Sequence, residues 1–297
     1  MARASHAAPA REHASIVRHP LTALDGSIDL LRADYLTHCF APHWHEALVM
    51  AVVEGGVMRT RIGRRTVVVP AGSLAMVLPG EVHTGEATSP DGFSYRAAHL
   101  PPAVIDALAV DGCTLEFVPP VVADPAISDA FVRAHAHWSA PGVDPLREGQ
   151  FLDALAMLAT RHRGERRAAT SAREPRLIAQ VRDYLESHHA RVVTLAELAT
   201  LTGRSAFHVS RVFREHVGLP PYAYLAQVRL HRALALLARG YSATTVAHET
   251  GFVDQSHFSR QFKRSMGMAP GHYARECGLS QLSPRGRLPL VPELASA

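Results

Sequence analysis

The spacing of apolar residues changes once along the chain, near residue 120. Before that point apolar residues run or alternate in short pieces broken by Gly and Pro, as in MRTRIGRRTVVVPAGSLAMVLPGEVH, residues 58–83. That is the grammar of strands and tight turns. Gly63-Arg64 is placed as a hairpin tip between strands Met58–Ile62 and Thr66–Val69. The expectation is a small antiparallel sheet or barrel over residues 19–120, preceded by a disordered arm, residues 1–18. After residue 120 the period lengthens to three or four. Asp124-Pro125 and Asp144-Pro145 each join an N-cap residue to proline at the first helical position. Ile127, Phe131, Ala134 and Trp138 form one apolar stripe, and Phe151, Leu152, Leu155 and Leu158 another. A helical pair is predicted over residues 121–162, either packed on the sheet or serving a dimer. RHRGERRAATSAREPR, Arg161 to Arg176, has no apolar period, and residues 163–175 are read as a linker. Helical period resumes over residues 176–275, and the Pro- and Ser-containing end, 276–297, is read as a flexible tail.

The helical half repeats itself. Thr194, Ala199, Thr202 and Gly203 match Ser242, Ala247, Thr250 and Gly251. After one extra residue in the second turn, His208, Ser210, Arg211, Phe213, Gly218 and Pro221 match His257, Ser259, Arg260, Phe262, Gly267 and Pro270. Each unit has helix–turn–helix grammar. Thr194 with Glu197 is a capping box, Gly203 or Gly251 ends the first helix, and Ser205 or Asp254 caps the second. Val209, Val212, Phe213 and Val217, and likewise Phe258 and Phe262, make a core-facing stripe. The opposite faces carry Phe207, Ser210, Arg211 and Arg214, and Gln255, Ser256, Ser259, Arg260 and Lys263. Between the units Pro221–Arg239 reads as one long helix that holds the two second helices apart.

Charge divides along the same line. Residues 1–162 carry 12 arginines against 17 carboxylates, whereas residues 175–275 carry 13 basic residues against 6 acidic ones. An acidic module joined to a basic one points to a polyanionic partner for the second. The three cysteines, Cys39, Cys113 and Cys277, have neither disulfide-framework nor zinc spacing, and the N-terminus lacks a secretory apolar run, so a cytoplasmic location is expected. No apolar stretch is long enough for a membrane span.

GFVDQSHFSRQFKRSMGMAPGHYAR resembles the C-terminal signature of AraC/XylS-type transcription regulators. The resemblance covers about residues 176–275 and implies a seven-helix domain with two helix–turn–helix units bound to double-stranded DNA. It implies DNA-facing positions at Phe207, Ser210 and Arg211, and at Gln255, Ser256, His257, Ser259 and Arg260. Phe207 stands where many relatives carry Trp or another residue.

PHWHEALVMAVVEGG, Pro42 to Gly56, places His43 and His45 two apart, on one face if the segment is a strand. PGEVH, Pro79 to His83, adds a third histidine after a turn. Together they resemble a cupin barrel, whose metal-binding members complete the site with a glutamate four or five positions after the histidine pair. Here positions 49 and 50 are Val and Met. Three neutral imidazoles suit Zn²⁺ or Ni²⁺; alternatively they line a ligand pocket or bond within the rim. Without the glutamate no metal, cofactor or catalytic residue is assigned. Sensor domains of the regulator family are commonly cupin-like, which implies a small-molecule effector at His43, His45, Glu46, Arg59, Arg61, His83 and Tyr95. AGSLAMVLPGEVHTGEA resembles a subgroup associated with amino-acid exporter genes, which suggests an amino acid or related metabolite.

The expected protein is a multidomain chain, β then α: a cupin-like barrel, a helical pair and an all-α double helix–turn–helix domain. It would be a non-enzymatic, ligand-responsive regulator of bacterial promoters. It would act as a homodimer in contact with DNA, effector and RNA polymerase. The alternative is a metal-dependent cupin enzyme fused to a DNA-binding domain.

Overall fold

The computed structural model describes residues 12–21, 27–63, 65–108, 118–139, 145–162 and 176–279. Eight strands come first: β1 (His13–Pro20), β2 (Ser27–Tyr35), β3 (Phe40–His43), β4 (Leu48–Ile62), β5 (Arg65–Pro70), β6 (Leu74–Val77), β7 (His83–Ala87) and β8 (Phe93–Leu100). A short helix α1 (Pro102–Leu108) and strand β9 (Val121–Val122) follow, then α2 (Pro125–Trp138) and α3 (Pro145–Arg161). The strands run in the order β1-β2-β8-β4-β6-β9, all antiparallel, with β5 and β7 on the far half of β4 and β3 on β7. The sheet is curled and does not close among the described residues, so the expected barrel is an open one. β4 belongs to both halves. Its register against β8 slips between Val53 and Gly55. There the chain bends through Gly56 at φ 71, where any Cβ would overlap the Gly92 carbonyl oxygen.

Alternation along the strands splits the apolar residues between two faces. Leu48, Met50 and Val52 meet Phe131, Trp138, Phe151 and Leu155 of α2 and α3. Val49, Ala51 and Val53 face the concave side with Tyr35, Phe93 and Tyr95. The helical pair thus packs on the sheet. Asp124 caps α2 by accepting from the Ala126 and Ile127 amides, with Pro125 at the first position; Asp144 lies outside the described residues. His135 of α2 is buried and sets its Nε2 3.1 Å from both the Leu31 and Ala97 carbonyls. The hairpin tip falls as expected, with Ile62 opposite Arg65 and Gly63 at φ 58.

Two boundaries shift. The expected arm is ordered from residue 12: HASIVRHP forms β1, with Ala14 and Ile16 buried. Arg18 is offset by Asp29, its register partner on β2, through two 2.7 Å bonds. The first residues of the expected tail are helical, because the last helix runs to Leu279 with Cys277 fully buried; residues 280–297 lie outside the described ones.

Seven helices follow: α4 (Arg176–Ser187), α5 (Leu195–Thr202), α6 (Ala206–Val217), α7 (Pro221–Ala238), α8 (Ala243–Glu249), α9 (Gln255–Met266) and α10 (Pro270–Leu279). Thr194 and Glu197 form the capping box of α5, and Gly203 ends it at φ 64. Ser205 and Asp254 cap α6 and α9 through the amides of His208 and His257. Eighteen residues make α7, a spacer of about 27 Å.

The sheet domain and the helical domain share their cores. Trp44 and Val82 pack with Phe213 of the first helix–turn–helix unit, with Ile178 of α4 and with Tyr224 and Val228 of α7. Tyr35, Phe93 and Tyr95 continue into Phe258 and Phe262 of the second unit, Leu237 of α7 and Tyr273 of α10. Arg18 donates to the Tyr273 hydroxyl at 2.8 Å, tying β1 to α10.

Candidate effector and DNA-reading sites

β3 ends at His43, which lies opposite His83, the first residue of β7. His45 lies beyond the end of β3, so the two histidines do not share a strand face as expected. They converge all the same. Ring centroids are 4.2 Å apart for His43–His83, 4.9 Å for His43–His45 and 5.1 Å for His45–His83. His99 of β8 stacks on His45 at 4.9 Å. His43 Nδ1 lies 2.7 Å from the Ala41 carbonyl, and His83 Nδ1 3.1 Å from the Glu81 carbonyl. A carbonyl only accepts, so in each ring Nδ1 carries the proton and Nε2 a lone pair. Burial drives all four rings toward neutrality, the pKa of His83 falling to about 4.

The other expected pocket residues scatter. Tyr95 is buried on the concave face, stacked on Phe93 at 5.6 Å. Glu46 is exposed, and its carboxylate lies 4.0 Å from His231 Nδ1 of α7. Arg59 and Arg61 do not join the histidines. Met58, Thr60 and Ile62 take the inward positions of β4, so the intervening arginines face out. They border an open cleft of about 700 Å³ together with Cys39, Glu86 and Arg264. Arg59 is paired there with Glu86 at 2.8 Å.

Three residues that the sequence did not flag complete the cluster. His99 is one, and the two-residue period from Tyr95 through Ala97 leads to it. Trp44 is the second. Sitting between His43 and His45, it is 8% exposed, stacks on Tyr224 at 5.6 Å and meets the ring of His231 edge-on at 4.1 Å. His231 is the third, its Nε2–H donating to the Trp44 carbonyl at 2.9 Å. Nothing local in α7 marks that residue.

On the helical domain, Phe207 is 79% exposed at the start of α6, next to the half-buried Ser210. Arg211 is exposed and bonded to Glu215 at 3.0 Å. Gln255, Ser256 and Arg260 are exposed on α9, with Ser259 half-buried. His257 is half-buried, edge-on to Phe252 at 5.6 Å. Of the predicted DNA-facing residues, Phe207, Arg211, Gln255, Ser256 and Arg260 are thus exposed and Ser210, His257 and Ser259 half-buried, while Phe213 and Phe262 of the same helices are fully buried.

A curled sheet with a buried polar cluster, sharing its core with a doubled helix–turn–helix, defines a ligand-binding transcription regulator. An AraC-like ligand binding domain matches residues 25–155, and a helix-turn-helix domain matches residues 198–276. The chain belongs to the AraC family of regulators. It is 27% identical to the HTH-type transcriptional regulator YbfI of Bacillus subtilis, over 77% of this chain and 85% of that protein. It is also 27% identical to the HTH-type transcriptional activator RhaS of an Enterobacter species, over 78% and 86%. The fold is similar to that of ToxT from Vibrio cholerae, with a TM-score of 0.52 at 12% identity over 90% and 98% of the two chains. Among the described residues no helix is long and apolar enough to cross a membrane.

Proposed function

We propose that this regulator senses its effector at the histidine end of the sheet domain and passes the signal to DNA through Trp44. The observation that carries this reading is the position of one side chain. Trp44 lies between two cluster histidines in sequence, yet its ring belongs to the core of the first helix–turn–helix unit. A ligand that moves the His43–His45 segment moves that core with it. In this reading Phe207, Ser210 and Arg211 of α6 enter one major groove of the duplex. Gln255, Ser256, His257, Ser259 and Arg260 of α9 enter the next. The outer surface of α2 and α3 serves a homodimer, RNA polymerase is the downstream contact, and the protein acts in the cytoplasm without catalysis.

The test has two stages. Fragments selected from random DNA by the full-length protein define the operator. Operator affinity and thermal stability are then measured across a metabolite panel that includes amino acids. A bound effector should raise stability by RT ln(1 + [L]/Kd) and change operator affinity together. Operator binding that no panel member alters, or turnover of a panel member, would argue for an inert sheet domain or an enzyme.

A further inference from the structure

We propose that His43, His45 and His83 form a three-histidine site for a divalent first-row transition ion of the zinc or nickel class, built against the contact between the two domains. Each residue offers one ring nitrogen, and these atoms all lie within 4.8 Å of one another. Nitrogens around a tetrahedral ion at about 2.05 Å stand about 3.4 Å apart. Small ring rotations therefore bring the set to bonding distance.

The hydrogen bonds prepare the rings for this role. Metal-bound histidines normally donate the second ring N–H to a carbonyl or carboxylate, which fixes the tautomer and the ring plane. His43 and His83 do so already, to Ala41 and Glu81. Their Nε2 lone pairs are the atoms left for an ion. All three donors are imidazole nitrogens, a set that suits Zn²⁺, Ni²⁺ or Co²⁺ rather than Mg²⁺ or Ca²⁺. Three neutral ligands leave the ion its full double charge and open positions, which would take water or a carboxylate.

Ligand residues His43 and His45 flank Trp44, so an ion that fixes both also fixes the backbone carrying the indole. The Trp44 carbonyl accepts from His231 of α7. Ion occupancy thereby sets the contact between the sheet domain and the first helix–turn–helix unit. This coupling rests on the Trp44 reading proposed above; the ion site itself does not.

The experiment uses full-length, untagged protein stripped with a chelator and titrated with Zn²⁺, Ni²⁺ and Co²⁺. Binding is followed by dialysis with elemental analysis, by cobalt ligand-field absorption and by tryptophan fluorescence. One ion per chain is expected, with a fluorescence change that Trp44→Phe abolishes. His43→Gln and His83→Gln should each weaken binding by more than the roughly 10–100-fold that loss of an outer hydrogen-bond partner costs. His248→Gln, at an exposed position, should leave binding unchanged. The inference is overturned if the folded wild-type chain takes up none of the three ions at one per chain. It is equally overturned if both glutamine variants, with wild-type circular dichroism, bind as the wild type does. One-to-one binding lost in those variants but without effect on operator affinity would support the site and overturn the Trp44 reading alone.

Discussion

Gly218 and Gly267 are equivalent residues of the repeat, and both rest on the sheet domain. Gly218 ends α6 against Val82, and Gly267 ends α9 against Tyr35 and Phe40. The C-terminal ends of α6 and α9, the second helices of the two units, are therefore seated on the same small domain, and the contacts differ in tightness. A Cβ at Gly218 would meet Val82 at 3.4 Å, an ordinary contact, whereas one at Gly267 would overlap the Tyr35 hydroxyl oxygen. Both glycines have positive φ, 85 and 72. Gly218→Ala should cost about 1–2 kcal/mol from the left-handed conformation alone. Gly267→Ala should cost more and should loosen α9 from β3. Chemical denaturation and operator binding of the two variants check this; equal losses would show that the Tyr35 contact carries no weight.

Arg211 and Arg260 occupy matching positions on α6 and α9. Each can make a bidentate contact to guanine worth about 1–3 kcal/mol of discrimination. Arg211→Ala and Arg260→Ala should each relax base preference in a different half of the operator, the halves one helical turn apart. An arginine that meets only phosphate would instead weaken all sequences alike and lower the salt slope by about one. Site selection with both variants separates these outcomes. Arg211 already holds Glu215 in the free protein, so Glu215→Gln should raise affinity for all sequences slightly.

His135 makes stability depend on acidity. Burial first, and then the nearby Arg96 cation, hold its pKa at about 4, against 6.5 for an exposed histidine. Below pH 6.5 the unfolded chain takes up a proton that the folded chain refuses. The contribution of His135 is thus complete above pH 6.5 and is lost as pH falls toward 4, at about 1.4 kcal/mol per pH unit. His135→Gln should remove that increment from the slope of unfolding free energy against pH. An unchanged slope would place the burial of His135 in doubt.

Truncating Trp44 tests the contact between domains. Trp44→Ala should cost about 3–5 kcal/mol and should separate the effector response from operator binding. Trp44→Phe should retain most of the stability, because stacking on Tyr224 survives. Retention of a full effector response by Trp44→Ala would remove this residue from the signal path.

Features encoded over a few neighbouring residues were legible before the fold was known. The Thr194–Glu197 box, the Asp124-Pro125 start and the Gly63 tip each depend on neighbours in sequence, and all three stand as read. The three cluster histidines were legible as types and converge, although not on one strand. β1 was not legible, because its few apolar residues sit among polar ones whose partners are distant in sequence: Arg18 meets Asp29 of β2 and Tyr273 of α10, and His19 stacks on Trp138 of α2. The assignment of Arg59 and Arg61 to the histidine pocket failed on the two-residue period of β4 itself, which was available. The pairing of Trp44 with Tyr224 and His231 joins residues about 180 positions apart. Only the folded chain brings them together.

A core that crosses the domain boundary limits how the gene for such a protein can be rearranged. Trp44 and Val82 are encoded with the sensor, yet they complete the interior of the first helix–turn–helix unit. A chimaera that joins this sensor to a foreign reader at residues 163–175 would present an indole to a surface not shaped for it. The reader, in turn, would lose two of its own buried side chains. Functional exchange should therefore succeed only where the donor sensor brings matching groups at positions 44 and 82. The inheritable module is the reader together with those two residues, not the contiguous segment 176–279 alone.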